Sequence, residues 1–216
     1  MQITHLGHSA VLVESGGTRL LVDPGAFSDG WHGLVDLDAV LITHLHPDHV
    51  DPARVPALLA ANPEARVVVE PGVPEAVDLG VAEERVTRLA AGDAVDLGAV
   101  GVEAVGGDHA VIHRDIPMVG NIGLVLRSEG EPTLFHPGDS LAAVPTGVDV
   151  LAVPTQAPWA AMKEHVDFIR AVGAARAFPI HDRLVNEIGR SMVVGRFSEL
   201  TDTEVLDLAD GRPRTL

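Results

Sequence analysis

Short hydrophobic stretches separated by turn residues run along the whole chain and predict a protein rich in short strands. Near the start, residues 2–6, 10–14 and 18–23 have the pattern of strands joined by tight turns, and Gly16-Gly17 is typical of a hairpin. Further strands are predicted on the same grounds at residues 39–43, 66–70, 85–88, 94–97, 100–105, 121–127, 132–136, 149–153, 176–179 and 203–208.

Helical patterns lie between these strands, and their order indicates two similar halves. Asp51-Pro52 has the residue types of a helix N-cap followed by the first helical position. The second half begins near Arg85, and strands followed by helices then recur. This order predicts one domain, residues 1–216, in which two sheets pack together with helices outside. The predicted helices are residues 51–61, 73–79, 159–172 and 186–200.

Composition narrows the range of chemistry and of partners. The 216 residues are enough for one large domain with a sizeable core. A formal net charge of −16 argues against nucleic acids and anionic membranes as partners. Without cysteine there can be no disulfide, thiolate zinc site or cysteine nucleophile, whereas eleven histidines leave nitrogen and oxygen ligation available. No signal-like start and no apolar run of about 18 residues is present, which predicts a cytoplasmic protein without a membrane partner.

The segment that follows the strand at residues 39–43 carries the densest set of candidate metal ligands. His44, His46, Asp48 and His49 fall within six residues, and imidazole and carboxylate groups are ligands that divalent zinc prefers. In an extended segment the first two histidines point the same way. Pro47 breaks the strand, so the last two residues are presented from another backbone direction. The loop can therefore serve two adjacent metal ions. A solvated histidine-rich loop is the simpler alternative, and it leaves the matching residues later in the chain unexplained.

Polar residues with metal-binding side chains also follow four other predicted strands. Asp23 ends an early strand, and three more candidates, His109, Asp139 and His181, lie just past later strands. Because each side chain follows an apolar strand, the sheets can bring all of them to one rim of the domain. This recurrence favours a metal centre over an isolated histidine-rich loop.

These residues, taken in order, resemble the five motifs of the metallo-β-lactamase fold superfamily, over nearly the whole chain. The motifs are an early Asp, the sequence H-x-H-x-D-H, a His, an Asp after Gly, and a final His. The resemblance implies an α/β fold, a four-layer αββα sandwich of two mixed sheets. The segments Leu6–Ala10 and Val22–Gly25 are similar to the branch that includes L-ascorbate-6-phosphate lactonase and small metal-dependent hydrolases.

The resemblance also implies a role for each candidate ligand. Two divalent ions are expected, zinc first, with manganese or iron as alternatives. The third motif here is Gly-Asp-His-Ala rather than Gly-His-Thr, so His113 remains an alternative to His109. Asp23 would orient a ligand without binding metal. The implied ligands are His44, His46 and His109 for one ion, Asp48, His49 and His181 for the other, and Asp139 as the bridge between them.

The expected activity is hydrolysis of an ester, lactone or phosphoester of a small molecule by a hydroxide held between the two ions. Asp139 would hold the pair, and Asp48 could also accept a proton from the attacking water. The lactonase branch further suggests a homo-oligomer. Two alternatives stay open: a non-hydrolytic metal-binding protein on the same fold and a phosphodiesterase acting on nucleotides. A di-iron redox site is disfavoured, because such sites in this superfamily normally have Glu where this chain has His46. A serine hydrolase is disfavoured, because Gly7–Val11 lacks the second glycine of the G-x-S-x-G turn.

Several further residues have both a functional and a structural interpretation. His8 is either a ligand or proton donor near the metals, or a turn histidine bonded to the backbone. His136 either caps a strand end or touches substrate. Lys163 either binds a substrate anion or lies on a solvated helix face, and the loop before it, with Trp159, can line a site. Two arginines beside proposed ligands are further candidates for anion binding, Arg114 and Arg183.

Overall fold

The computed structural model describes all 216 residues. It contains fourteen strands and four α-helices, and none of the helices combines the length and apolar character needed to cross a bilayer. The strands are β1 (Gln2–Gly7), β2 (Ala10–Ser15), β3 (Thr18–Val22), β4 (Ala39–Ile42), β5 (Arg66–Val69), β6 (Val86–Arg88), β7 (Ala94–Leu97), β8 (Val100–Asp108), β9 (Gly120–Arg127), β10 (Leu134–His136), β11 (Val150–Pro154), β12 (Arg176–Ile180), β13 (Glu204–Val205) and β14 (Arg214–Thr215). The helices are α1 (Val55–Ala61), α2 (Val73–Ala76), α3 (Met162–Val172) and α4 (Glu187–Leu200), and two 3₁₀ turns cover Glu83–Arg85 and Asp182–Leu184.

The strands form two mixed sheets of seven strands each. The first has the order β14-β1-β2-β3-β4-β5-β6 and the second the order β13-β12-β11-β10-β9-β8-β7. In each sheet an antiparallel series is followed by three parallel pairs, β3 to β6 in the first and β10 to β13 in the second. The two halves predicted from the order of strands and helices therefore share one strand plan.

Both faces of the central strands are buried, and alternate residues enter different cores. In β3, Leu20 and Val22 pack in the core between the sheets, while Leu21 packs in the core under α1 and α2. In β11, Ala152 enters the core between the sheets and Leu151 the core under α3 and α4. This alternation follows from the two-residue period of a strand. The central core holds 23 buried residues, against 17 and 12 in the outer two, so the contact between the sheets is the main one.

Three cores stacked in this way give four layers, helices–sheet–sheet–helices. The predicted α/β architecture, a four-layer αββα sandwich of two mixed sheets, is confirmed. Two strand assignments were wrong or incomplete. β6 belongs to the first half, because it pairs in parallel with β5. β14 was not predicted, since Arg214-Thr215 carries no apolar alternation and is ordered by pairing with β1.

Two helices begin later than the sequence predicts. Asp51 is not an N-cap: its side chain accepts a hydrogen bond from the N–H of Ala53 (2.8 Å) within a turn, and α1 starts at Val55. α3 starts at Met162, where the Glu164 side chain accepts a bond from the preceding backbone N–H. Residues 155–161 consequently form a loop, which leaves Trp159 free to face the candidate site.

Candidate metal centre

The carboxyl ends of neighbouring strands in the two sheets meet at one edge of the sandwich. The loop Thr43–His49 leaves β4 there, and Asp23 follows β3. From the second sheet, His109 follows β8, Asp139 follows β10 and His181 follows β12. Ligand sites in sheets with parallel strands characteristically lie outside the carboxyl ends of the strands. The fold thus brings the sequence-predicted ligands to one place.

Four of these side chains form a first cluster. Their ligand atoms, one from each of His44, His46, His109 and Asp139, all lie within 4.8 Å of one another. The Nε2 of His44 is 3.2 Å from the Nδ1 of His46, and the Nε2 of His109 is 3.4 Å from Oδ2 of Asp139. Such a set of three imidazoles and one carboxylate has the size and chemistry of a divalent metal site.

A second cluster consists of His8, Asp48, His49 and His181, whose ligand atoms also lie within 4.8 Å of one another. Oδ2 of Asp48 is 3.1 Å from Nε2 of His8 and 3.2 Å from Nε2 of His181. His8 therefore lies among the ligand candidates, which is the first of its two sequence-based interpretations. The sequence could not decide between the two interpretations, because His8 lies in the turn after β1 and this turn meets the H-x-H-x-D-H loop only in the folded chain.

Asp139 contacts both clusters. Its Oδ1 is 3.2 Å from Nε2 of His49, and its Oδ2 is 3.3 Å from Nε2 of His181 and 3.4 Å from Nε2 of His109. The preceding residue, Gly138, has a positive φ of 60°, and a Cβ there would lie 2.3 Å from the side chain of Asn121. Only glycine fits this turn, and the turn sets the position of the carboxylate.

The hydrogen bonds of the histidines fix which nitrogen of each ring faces the site. The Nδ1–H groups of His109 and His181 each donate to a backbone carbonyl at 2.6 Å, and Nδ1–H of His49 donates to Asp23 at 2.7 Å. In the neutral rings the inward Nε2 atoms then carry lone pairs. These three atoms and Oδ1 of Asp139 are buried without a hydrogen-bond partner. Buried lone pairs that converge on carboxylate oxygens fit a cation, so the residues present fit a metal pair.

The pKa shifts show the same demand for positive charge. Burial lowers the pKa of His181, but the carboxylates of Asp139 and Asp48, 3.3 and 3.2 Å from its Nε2, outweigh burial and raise the pKa to about 9. Burial likewise opposes a charge on His49, yet Asp139 and Asp23 raise the pKa of this ring well above its usual value. Burial raises the pKa of Asp48, but the imidazoles of His181 and His8 beside its carboxylate hold this pKa below its usual range. The carboxylates therefore remain ionised and favour a cation between the rings.

Asp23 and His136 support the site without joining a cluster. Asp23 has a left-handed φ of 48°, and its carboxylate accepts bonds from the N–H and hydroxyl of Thr43 (2.8 and 2.7 Å) as well as from His49. His136 donates from Nε2 to the carbonyl of Ser9 at 3.1 Å and accepts at Nδ1 from Gly138 N–H at 3.3 Å. These two hydrogen bonds to the backbone agree with the interpretation of His136 as a cap at the end of a strand rather than as a residue that contacts substrate.

Other sequence candidates lie away from both clusters. His113 is exposed and its Nδ1 accepts a bond from the N–H of Asp115, whereas His109 is buried in the first cluster. Lys163 is exposed on α3, and Arg114 is exposed in the loop after β8. Arg183 is not a member of either cluster, and its guanidinium lies beside Gly7. The hydroxyl of Ser9 donates to the backbone carbonyl of Asp48 at 2.6 Å and makes no hydrogen bond with a histidine, which gives no support to a serine nucleophile.

Two residues of the site had little or no signal in the sequence. Trp159 donates from its indole N–H to Oδ2 of Asp139 at 3.1 Å, although the sequence placed it at the start of a helix. Gly25 packs against the loop, since a Cβ there would lie 1.8 Å from the carbonyl oxygen of Asp48. Both contacts join segments far apart in the chain, so neither follows from local patterns.

Comparisons with known proteins agree with the fold described above. A family model described as a β-lactamase superfamily domain matches residues 2–181. The chain is 48% identical to Protein Rv0786c of Mycobacterium tuberculosis over 205 residues, 94% of each chain. It is 30% identical to a UPF0173 metal-dependent hydrolase of Chelativorans over 155 residues, 65% of this chain and 63% of the relative. Its structure is similar to the metallo-β-lactamase fold protein YhfI of Bacillus subtilis, with a TM-score of 0.76, 17% identity and coverage of 99% and 98%.

Proposed function

This chain belongs to the β-lactamase superfamily, and from the geometry of its clusters we propose that it is a hydrolase dependent on two divalent metal ions. The observation that carries the proposal is the position of Asp139, whose two carboxylate oxygens face imidazoles of both clusters at 3.2–3.4 Å. A structural zinc site normally closes with four ligands. Two adjoining clusters joined by one carboxylate favour a reactive pair over a structural ion.

The proposed ligands divide as the clusters do. His44, His46 and His109 would hold one ion, and Asp139 would bridge. The second ion would be held by Asp48, His49 and His181, and His8, whose ring lies in the same cluster, is a further candidate ligand. Zinc suits these nitrogen-rich sets, and manganese or iron can occupy similar ones.

When bound, the two cations would supply a hydroxide at neutral pH and polarise the bond that breaks. The protein's own residues keep the site organised for that chemistry. Asp23 fixes the ring of His49 through Nδ1, and backbone carbonyls fix the rings of His109 and His181. Oδ2 of Asp48 lies 3.1 Å from Nε2 of His8 and 3.2 Å from Nε2 of His181, so we assign Asp48 a ligand and orienting role.

The reaction that suits this centre is hydrolysis of an ester, lactone or phosphoester of a small molecule. A lactone is the substrate suggested by the resemblance of Leu6–Ala10 and Val22–Gly25 to the lactonase branch. The net charge of −16 disfavours nucleic acid as substrate. The alternative function, a protein that binds metal without catalysing hydrolysis, is distinguished from a hydrolase by the experiment below.

The test combines metal content with hydrolysis. Protein loaded with Zn or Mn is assayed on a panel of esters, lactones and phosphoesters, and metal per chain is measured by mass spectrometry. We expect two ions per chain in the unaltered protein and, in His46→Ala, weaker metal binding and lost hydrolysis. His113→Ala, at an exposed histidine outside the clusters, is the matched control. Less than one ion per chain together with no hydrolysis after Zn or Mn addition would contradict the proposal.

A further inference from the structure

A cleft of about 690 Å³ opens directly beside the first metal cluster. His109 lines it, and so do Ser140, the residue after Asp139, and Trp159, which donates to Asp139. The cleft is therefore continuous with the proposed reacting centre, and its volume is within the range of small-molecule sites.

The walls of this cleft are mostly apolar. Nine of the fourteen lining residues are hydrophobic, and three of them are exposed to an unusual degree: Val111 (63%), Met118 (52%) and Val144 (46%). Ile116 (48%) lies in the adjoining groove with His46 and His109. Ten large hydrophobic side chains are exposed in the whole chain, and four of these ten lie around this opening. A concentration of exposed apolar side chains beside a reactive centre indicates a binding surface.

The charged side chains of the walls, apart from the ligand His109, are all acidic. They are Asp108, Glu164 and Asp167, and no lysine or arginine lines the cleft. The single lysine of the chain, Lys163, is exposed on α3 and is not part of the wall. An anionic substituent placed here would lose hydration against apolar walls and meet carboxylates of like charge.

We propose, on the basis of the proposed hydrolase function, that this cleft takes an uncharged apolar group of the substrate, and that the substrate is a carboxylic ester or lactone. Phosphorylated sugars, to which the lactonase resemblance points, lack such a group and carry the charge that the cleft disfavours. In the reaction the acyl C–O bond breaks and the oxygen of water bonds to the acyl carbon. One proton passes to the departing alkoxide, and the new carboxylic acid releases the other to solvent.

The test uses esters that differ only in the charge at the end of a six-carbon chain. The first pair is methyl hexanoate and monomethyl adipate, and the second, with the chain on the alcohol side, is hexyl acetate and 6-acetoxyhexanoate. Hydrolysis by the metal-loaded protein is followed by proton release. In at least one pair we expect kcat/KM to be about 10-fold or more higher for the uncharged ester. Equal rates within both pairs, or preference for a phosphomonoester, would overturn the inference.

A charge reversal in the wall sharpens the test. Asp167→Lys should reduce the discrimination against the anionic ester about threefold or more, because it replaces a repelling group with an attracting one. Asp202→Lys introduces the same charge at an exposed position outside the cleft, and it should leave the discrimination unchanged. An equal effect of both variants would assign the preference to net charge and would contradict a role for the cleft.

A binding measurement separates this inference from the proposed function. The chain has two tryptophans, and Trp159 lines the cleft while Trp31 is buried in the first half. Hexanamide should change the fluorescence at lower concentration than adipamic acid, and Trp159→Phe should abolish the response. Metal-dependent hydrolysis with no preference for the uncharged chain would overturn only the cleft inference. No hydrolysis of any ester, lactone or phosphoester, together with less than one bound ion per chain, would contradict the proposed function, while the fluorescence titration would still decide whether the cleft binds apolar chains.

Discussion

The two halves of the sandwich share a strand plan but contribute to the metal centre in opposite ways. The first half supplies five of the eight cluster residues, and four of these lie within the single segment His44–His49. The second half supplies three residues, His109, Asp139 and His181, each after a different strand. The first half therefore provides ligand density in one peptide, and the second half provides the carboxylate that connects the two clusters. Substitution of Asp139, which connects the two clusters, should therefore reduce activity more than substitution of a single ligand in the first half.

The largest effect is expected for Asp139→Asn in the second half. A neutral amide cannot hold two cations, so kcat/KM for the best ester should fall about 10³-fold or more, in line with a loss of several kcal/mol of transition-state stabilisation. His46→Ala in the first half should leave the second cluster able to bind one ion. Metal content and kcat/KM of both variants check the comparison.

Asp115→Asn, at an exposed acid in the loop after β8, serves as the matched control for this substitution. It should leave both quantities unchanged. Two bound ions and activity within tenfold of the unaltered protein in Asp139→Asn would show that the halves are not joined through this carboxylate.

A second difference concerns buried histidines outside the clusters. His5 in the first half donates from Nε2 to the carbonyl of His8 at 2.9 Å, whereas His165 in the second half has no partner for either ring nitrogen. Burial lowers the pKa of His165 to about 4 from 6.5. The unfolded chain therefore binds this proton at a higher pH than the folded chain does. Stability from this group is complete above about pH 6.5 and is lost as the pH falls towards 4, by about 3 kcal/mol in total.

His165→Phe should remove this part of the pH dependence, because the ring of Phe cannot take up a proton in either state. Denaturant unfolding at pH 7.0, 5.5 and 4.0 measures the free energy of unfolding, and the difference between variant and parent isolates the group from the other histidines. His113→Phe, at an exposed ring, is the control for the loss of one histidine. If the free energy of unfolding of His165→Phe depends on pH as steeply as that of the parent, the ring of His165 does not contribute to the pH dependence of stability.

A smaller effect, on metal affinity, is expected for a residue of the first half whose backbone has an unusual conformation. Four non-glycine residues have a positive φ, and three of them, His8, Asp23 and His181, belong to the centre or support it. Asp23→Asn tolerates the same backbone but holds the ring of His49 less firmly, so metal affinity should fall about 10- to 100-fold. Asp36 also has a positive φ (59°) and is exposed, which makes Asp36→Asn a matched control with unchanged affinity. Equal affinities of the two variants for Zn, measured by competition with a chelating dye, would contradict the support assigned to Asp23.

The same difference between the halves explains how much the sequence could predict. The H-x-H-x-D-H segment is local, so its candidate ligands could be identified from spacing alone, and the order of strands and helices predicted two packed sheets with helices outside. Contacts that depend on packing between distant segments could not be identified in this way. His8 reaches Asp48 only after β1 and the loop fold together, and β14 is ordered only by pairing with β1. The position of Trp159 could not be predicted because it depends on where α3 begins. The helix begins at Met162, where the Glu164 side chain accepts a hydrogen bond from the N–H of Ala161.

Trp159→Phe gives the smallest expected effect and tests whether the second half positions its carboxylate as well as supplying it. The indole N–H donates to Oδ2 of Asp139, the oxygen that also faces His109 and His181 at 3.3–3.4 Å. Phe keeps most of the apolar surface but removes the donor, and a half-buried hydrogen bond to a charged group contributes about 1 kcal/mol. For methyl acetate, which carries no chain to fill the cleft, kcat should therefore fall about fivefold, and the melting temperature of the metal-loaded protein should fall by only about 2–4 °C. A purely structural tryptophan would lower the melting temperature in the same way but leave kcat of the folded fraction unchanged, and that result would restrict the second half to supplying ligands.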